Sequence, residues 1–300
     1  MRQLLSIAPE VANAIRDHRP VVALESTVIA HGLPRPLNLE TARRLEMAVR
    51  AEGAIPATVA VLGGRLCVGL DGAQLERLAE REGVRKLSTR DLPAAVARGW
   101  DGATTVATTM RIAARAGVEV FATGGVGGVH RGSLPDVSAD LPELARTRMV
   151  VVCSGAKIVL DLPATREWLE TWGVTVVGYG CDEMPAFYTR RSGLPVDVRA
   201  DSPQEVANIM RARTALGVEG ALLLTVPVPE DSEVDEKVLT AALGEALEAA
   251  ARDGVAGRDL TPYLLARMGE RTEGATLSAN VALLENNARV AARVARALAA

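Results

Sequence analysis

Short, wholly apolar segments recur along the chain, separated by longer stretches in which apolar positions return at helical spacing. Residues 21–24, 118–122, 149–153, 174–177 and 221–226 are rich in Val, Leu and other apolar residues, the pattern of strands buried on both faces. Strands at 58–62 and 66–70 are joined by Gly63-Gly64 as a hairpin, and 85–88 forms a short strand. Between them the pattern predicts an amphipathic helix in residues 1–19, a helix capped by Asn38 and ending near Gly53, one over 71–82, and one capped by Asp91 and ending at Gly99. Residues 102–117 read as a single Thr- and Ala-rich helix. Further helices are predicted over 164–172, from the capping box Ser202-Pro203-Gln204-Glu205 to near Gly217, after Glu230, from Thr261-Pro262, and over 276–299. Apolar strands alternating with helices define an α/β fold, a three-layer α/β/α arrangement with a central, mainly parallel sheet, and no linker or repeat divides residues 1–300 into more than one domain.

Composition narrows the function. A chain of 300 residues with net charge −3, no basic run and 3% aromatic residues is poorly suited to nucleic acid, and its apolar runs are too short for a membrane span. Cys67, Cys153 and Cys181 lie in or beside strands without CxxC spacing, which reads as buried thiols of a cytoplasmic protein. Of 34 basic residues only Lys86, Lys157 and Lys237 are lysine. An amine can lose its proton and attack a carbonyl, which guanidinium cannot. Lys237 falls on a surface helix, so Lys86 and Lys157 are the informative pair.

Lys157 follows the strand 149–153 through Ser154-Gly155-Ala156, at the carboxyl edge where open α/β sheets bind ligands. Glu25 ends the strand 21–24 in the same way. The start of the Thr-rich helix offers backbone N–H groups and hydroxyls suited to a phosphate. Thr123 to Gly132 is a glycine-rich loop ending in His130, where backbone can approach a ligand closely, although it has neither P-loop nor G-x-G-x-x-G spacing. Asp136, Ser138 and Asp140 alternate in PDVSADL, either as oxygen ligands for a hard divalent cation or as a helix cap with solvated acids. A carboxylate, two amines, a cation site and an anion-binding helix start together suggest chemistry on a phosphorylated sugar.

Long ordered stretches resemble the pseudouridine-5′-phosphate glycosidase family, also known as indigoidine synthase A-like. They include LESTVIAHGLPRPLN at 24–38, KLSTRDLP at 86–93, TTVATTMRIA at 104–113, FATGGVGGVHRG at 121–132, SADL at 138–141, SGAK at 154–157 and LSANVALLENN at 277–287. The resemblance implies a lyase that reversibly cleaves pseudouridine 5′-phosphate to uracil and ribose 5-phosphate, working as a homotrimer with one Mn²⁺ per subunit. It implies Lys157 as the covalent nucleophile, Glu25 as proton donor, Asp136 as metal ligand, and Lys86, Val106, Ser138, Ala139 and Asp140 as substrate-binding residues. His130 and Asn280 fall in matching motifs as further pocket residues. A local departure is Pro135 directly before the metal aspartate, where an aromatic is more familiar in the family.

The chemistry accounts for these residue types. A carbon–carbon glycosidic bond has no heteroatom for an acid to protonate, unlike an ordinary glycosidic bond. An imine between Lys157 and C1′ of ring-opened ribose makes that bond breakable, and it requires Lys157 to be neutral part of the time, aided by burial or by a neighbouring cation such as Lys86. An aldolase-like enzyme using the same imine, and a sugar or nucleoside kinase, are the alternatives; the missing P-loop counts against the kinase.

Overall fold

The computed structural model describes residues 4–132 and 136–300. The chain opens with a strand, β1 (Leu5–Ile7), before the short helix α1 (Pro9–Arg16), where a helix over 1–19 was expected. β1 pairs in parallel with a strand some sixty positions later, Leu5 opposite Leu66, a tertiary contact that local periodicity does not encode. β2 (Val21–Leu24) is buried at every residue. A π-helical turn, Val28–Gly32, then leads into α2 (Leu37–Ala51). Asn38 is not its cap: it is buried in the first turn and donates to the Ile29 and Ala79 carbonyls, 2.8 and 3.1 Å away.

The hairpin forms as expected from β3 (Ile55–Leu62) and β4 (Arg65–Val68), with Gly63 and Gly64 both at positive φ, as a tight primed turn requires. After α3 (Gly72–Glu80), β5 (Arg85–Leu87) and α4 (Leu92–Ala97), the stretch expected to be one Thr-rich helix divides. Gly102–Thr104 is a strand, β6, paired with β3 and β5, and α5 (Val106–Ala116) begins only after Thr105 caps it. A Cβ on Gly102 would stand 2.2 Å from Leu87 Cδ1, so this glycine permits the close strand pairing.

The remaining elements are β7 (Val120–Ala122), β8 (Val129–His130), α6 (Asp140–Leu144), β9 (Val150–Cys153), β10 (Leu160–Asp161), α7 (Leu162–Thr171), β11 (Thr175–Tyr179), β12 (Val198–Ala200), α8 (Pro203–Ala215), β13 (Leu222–Thr225), α9 (Glu236–Arg252), α10 (Leu260–Arg271) and α11 (Ala275–Ala299). One eleven-stranded sheet runs β1-β4-β3-β2-β7-β9-β13-β11-β12, with β6 and β5 attached beside β3. From β3 to β12 all neighbours are parallel, whereas β4 and β6 run against β3, and β8 and β10 form a separate antiparallel pair. β2, β9 and β13 are buried at every position, so helices cover both faces, giving the expected three-layer α/β/α architecture. α11 lies across β2, β7 and β9, with α2 and α8 beside it. Among the described residues no helix is long and apolar enough to cross a membrane.

The parallel arrangement sends β2, β7, β9 and β13 out on one edge, where tight turns must hold their ends. Gly155, two residues beyond β9, has φ +79°, and a Cβ there would lie 2.0 Å from the Pro185 carbonyl oxygen. Gly155→Ala therefore meets both a backbone and a steric penalty and is expected to cost at least about 2 kcal/mol, read as a lowered denaturant midpoint; an unchanged midpoint would show that the 181–187 loop yields freely.

Candidate active site

Glu25 follows β2 directly and reaches a cavity of about 860 Å³ at the carboxyl edge of the sheet. The next residues hold it there through buried hydroxyls. Ser26 Oγ donates to the Val59 carbonyl at 2.6 Å and accepts from Thr104 N at 2.9 Å, and Thr27 Oγ1 donates to the Thr104 carbonyl at 2.7 Å. Thr104 Oγ1 in turn donates to Val59 O, 2.8 Å away. Thr104, Thr108 and Thr109 are thus buried and occupied within the protein, which leaves Thr105 and Val106 to face the cavity at the start of α5. The Thr104, Thr108 and Thr109 hydroxyls of this expected phosphate-binding stretch thus join parts of the protein to one another.

Asp140 reaches the same helix. Its carboxylate accepts from Ala107 N at 2.9 Å and from Gly127 N at 2.8 Å, so each oxygen holds one element, the first turn of α5 and the glycine-rich loop. Ser138 Oγ accepts from Asp140 N at 3.2 Å, and Asp136 is exposed at the cavity rim, its carbonyl accepting from His130 N at 2.8 Å. Ser138 Oγ and Asp140 Oδ2 thus lie together beside Gly127, while Asp136 is exposed at the rim. Among the described residues no three His, Cys, Asp or Glu side chains gather as a metal cage. Asp136 presents an exposed carboxylate at the rim, the kind of oxygen donor that a hard divalent cation would take, its other ligands being water. Pro135, the local departure from the family pattern, lies outside the described residues.

The glycine-rich loop lines the cavity with Gly124, Gly125 and Gly127 and is also closely packed by the protein. A Cβ on Gly125 would meet the Phe187 ring at 2.7 Å, one on Gly127 would meet Ser138 Oγ at 2.2 Å, and one on Gly128 would meet Thr165 Oγ1 at 2.3 Å. Its glycines allow loops to pack on one another beneath the cavity.

Lys157 sits in the turn after β9, its N–H donating to the Val126 carbonyl at 3.2 Å, and its side chain is half-buried on the cavity wall. Lys86 from β5, His130 from β8, Ala139 before α6 and Asn280 from α11 line the same space, so all ten site residues expected from the sequence meet in one cavity. α10 and α11 close the far side with Leu265, Ala266, Leu277 and Leu284. Cys67 and Cys153 are buried free thiols as expected, while Cys181 is partly exposed in the loop after β11.

The charges in this enclosure act on one another. Burial raises the Glu25 carboxyl above its ordinary range, partly opposed by Lys157 and by the Thr123 hydroxyl, which donates to Glu25 Oε1. Burial, followed by repulsion from Lys157, lowers the Lys86 amine, and burial with the two lysines lowers His130 against the pull of Asp136. Two contributors escaped the sequence reading of the site. Thr123, the first residue beyond β7, touches Glu25, and its position at a parallel strand end was the available signal. His31 lines the cavity with a lowered imidazole, and its buried Nε2 has no hydrogen-bond partner.

The family model described as "Indigoidine synthase A like protein" matches residues 10–297. A pseudouridine-5′-phosphate glycosidase of Caldanaerobacter subterraneus subsp. tengcongensis is 48% identical over 297 residues, 98% of this chain and 97% of that protein. One from Symbiobacterium thermophilum is 53% identical over 306 residues, covering all of this chain and 99% of the relative. The prealnumycin C-glycosynthase AlnA, solved with ribulose 5-phosphate, superposes with a TM-score of 0.91 at 43% identity, over 99% of this chain and 97% of that one. An indigoidine synthase A-like protein of Thermotoga maritima gives a TM-score of 0.91 at 38% identity over the same shares. With the match running through every element that builds the cavity, this chain belongs to the indigoidine synthase A-like family.

Proposed function

We propose that this protein catalyses the reversible cleavage of pseudouridine 5′-phosphate, with water, to uracil and ribose 5-phosphate. The observation that carries this reading is the meeting of an acid, Glu25, and an amine, Lys157, in one enclosed cavity, beyond the ends of β2 and β9, the two parallel strands on either side of β7. The names of the relatives supply the substrate, and the ribulose 5-phosphate complex of AlnA, an open-chain sugar phosphate, supports a ring-opened ribose.

In the cleavage direction the Lys157 amine attacks C1′ as the C1′–O4′ bond breaks, and Glu25 gives the proton that O4′ needs to leave as a hydroxyl. The nitrogen, a secondary ammonium after the attack, gives up a proton, and the uracil ring takes one at C5. The nitrogen lone pair moves in to form the C1′=N bond as the C1′–C5 bond breaks, and uracil departs. Water adds to the imine and releases ribose 5-phosphate, returning the free amine. Lys86 and the backbone around Val106, Ser138 and Ala139 hold the phosphorylated sugar, His130 and Asn280 face the rest of the substrate, and Asp140 fixes the two elements that form the phosphate-side wall. Asp136 would hold Mn²⁺, which when bound offsets phosphate charge. The resemblance of the motifs extends this reading to a cytoplasmic homotrimer.

Incubation with pseudouridine 5′-phosphate and Mn²⁺ followed by borohydride should leave a ribose-phosphate adduct on Lys157 by intact mass, with uracil in solution. Lys157→Ala should lose adduct and turnover together, by at least roughly 10³-fold; turnover near wild type would end the imine mechanism. Lys86→Ala should raise KM for the phosphorylated substrate about 10- to 100-fold, the loss of one charge-assisted contact, and an unchanged KM would remove Lys86 from the phosphate site.

The raised Glu25 carboxyl keeps its proton to higher pH than an ordinary glutamate, and the donor form is lost as pH rises through that raised value. The kcat profile should accordingly hold its protonated-acid plateau above pH of about 4.3, the ordinary Glu value, and fall on its alkaline side. Glu25→Gln, with no proton to give, should lower kcat by roughly 10²- to 10⁴-fold; a variant as active as wild type would assign the proton to another group.

A further inference from the structure

We propose that Asn287 is a positioning residue that fixes the acid Glu25 and the amine Lys157 relative to each other by tying the ends of β7 and β9 to α11. The inference rests on the functional reading above. Asn287 is fully buried in the middle of α11, where that helix crosses β7 and β9. An amide there, far from solvent, needs partners, and it takes them from two different strand ends. Its Nδ2 donates to the Thr123 carbonyl at 2.9 Å and approaches Ser154 Oγ at 3.1 Å, while Ser154 Oγ lies 3.4 Å from its Oδ1.

Each of those strand ends leads to one reacting group. Thr123 donates its hydroxyl to Glu25 Oε1, so the carbonyl that Asn287 holds and the hydroxyl that holds the acid belong to one residue. Ser154 opens the turn that ends in Lys157, and that turn is laced to the β7 loop by Ser154 N to Gly124 O at 2.8 Å, Val126 N to Gly155 O at 3.0 Å and Lys157 N to Val126 O at 3.2 Å. One side chain from a third element thus grips both halves of the acid–amine pair. A purely structural role would affect stability only; a positioning role couples Asn287 to Thr123 in the chemistry.

The test compares wild type, Asn287→Ala, Thr123→Val, Thr123→Ser and the Asn287→Ala/Thr123→Val double variant, each with kcat, KM and a pH profile on pseudouridine 5′-phosphate. Wild type must first release uracil; failure there overturns the functional reading rather than this inference alone. With activity in hand, Asn287→Ala and Thr123→Val should each lower kcat, Asn287→Ala by as much as roughly 10²-fold, the scale of a small misplacement of reacting groups, with KM little changed. Thr123→Ser, which keeps the hydroxyl, should retain most activity. Removing a donor that favours the carboxylate should move the alkaline limb to higher pH in Thr123→Val, and in Asn287→Ala to the same side. The double variant should lose no more than the worse single variant. Losses that multiply in the double variant, or an Asn287→Ala protein with an unmoved limb and unchanged kcat, would overturn the inference. If Asn287→Ala does not fold, Ser154→Ala takes its place: it removes the partner on the Lys157 side and should lower kcat with KM little changed, and an unchanged kcat would overturn the proposal.

Discussion

The structure depends on a parallel sheet covered on both faces, because that arrangement decides where anything polar can go. Strands buried at every residue carry no side chain able to reach water from their middle, so function is pushed to their ends. Since β2, β7 and β9 are adjacent and run the same way, Glu25, Thr123 and Ser154 emerge side by side. Separations of a hundred residues in sequence become neighbouring positions in space. A βα turn after each strand then chooses what faces the cavity, and for β9 that choice is Lys157.

Collecting charges in an enclosure has a cost that the molecule meets by mixing signs. Glu25 and Asp140 face Lys157 and Lys86, so desolvation, which disfavours every ion, is opposed by a partner of the other sign. The compensation is unequal. Asp140 is anchored by two backbone N–H groups and serves as a fixed negative point. Glu25 has one hydroxyl donor and a carboxyl raised by burial, which is the condition a proton donor needs.

The sequence was readable where one element's behaviour is set by its own residues. Continuous apolar runs gave the central strands, Gly63-Gly64 gave the hairpin, and Ser202 caps the helix it precedes. It was unreadable where a distant partner overrides local preference. β1 exists only because β4 offers it an edge, and Gly102–Thr104 is a strand because β3 and β5 flank it. At the site, the strand-end position of Glu25 and Lys157 was visible from patterning, and long motifs brought in Val106, Ala139 and Asn280. The hydroxyls of 104–109, the loop glycines and the alternating oxygens around Asp140 could not be divided between fold and ligand from sequence, for one shared reason. Each has the composition of a ligand site, yet much of their hydrogen-bonding capacity and space is taken by other parts of the protein, which only the assembled fold supplies.

The same internal pairing keeps the cavity open. Polar groups at the ends of parallel strands would otherwise compete for the same space as substrate, and a pocket lined by unsatisfied hydroxyls would fill or collapse. By pairing Ser26, Thr104, Asp140 and Asn287 with backbone groups, and Thr109 with the Thr104 hydroxyl, the protein fixes the walls of the cavity. Long, partly exposed Lys157 and Lys86, and Glu25 held by the Thr123 hydroxyl, project from this frame into the cavity. A site organised this way keeps its geometry through strand ends whose polar groups are paired within the protein.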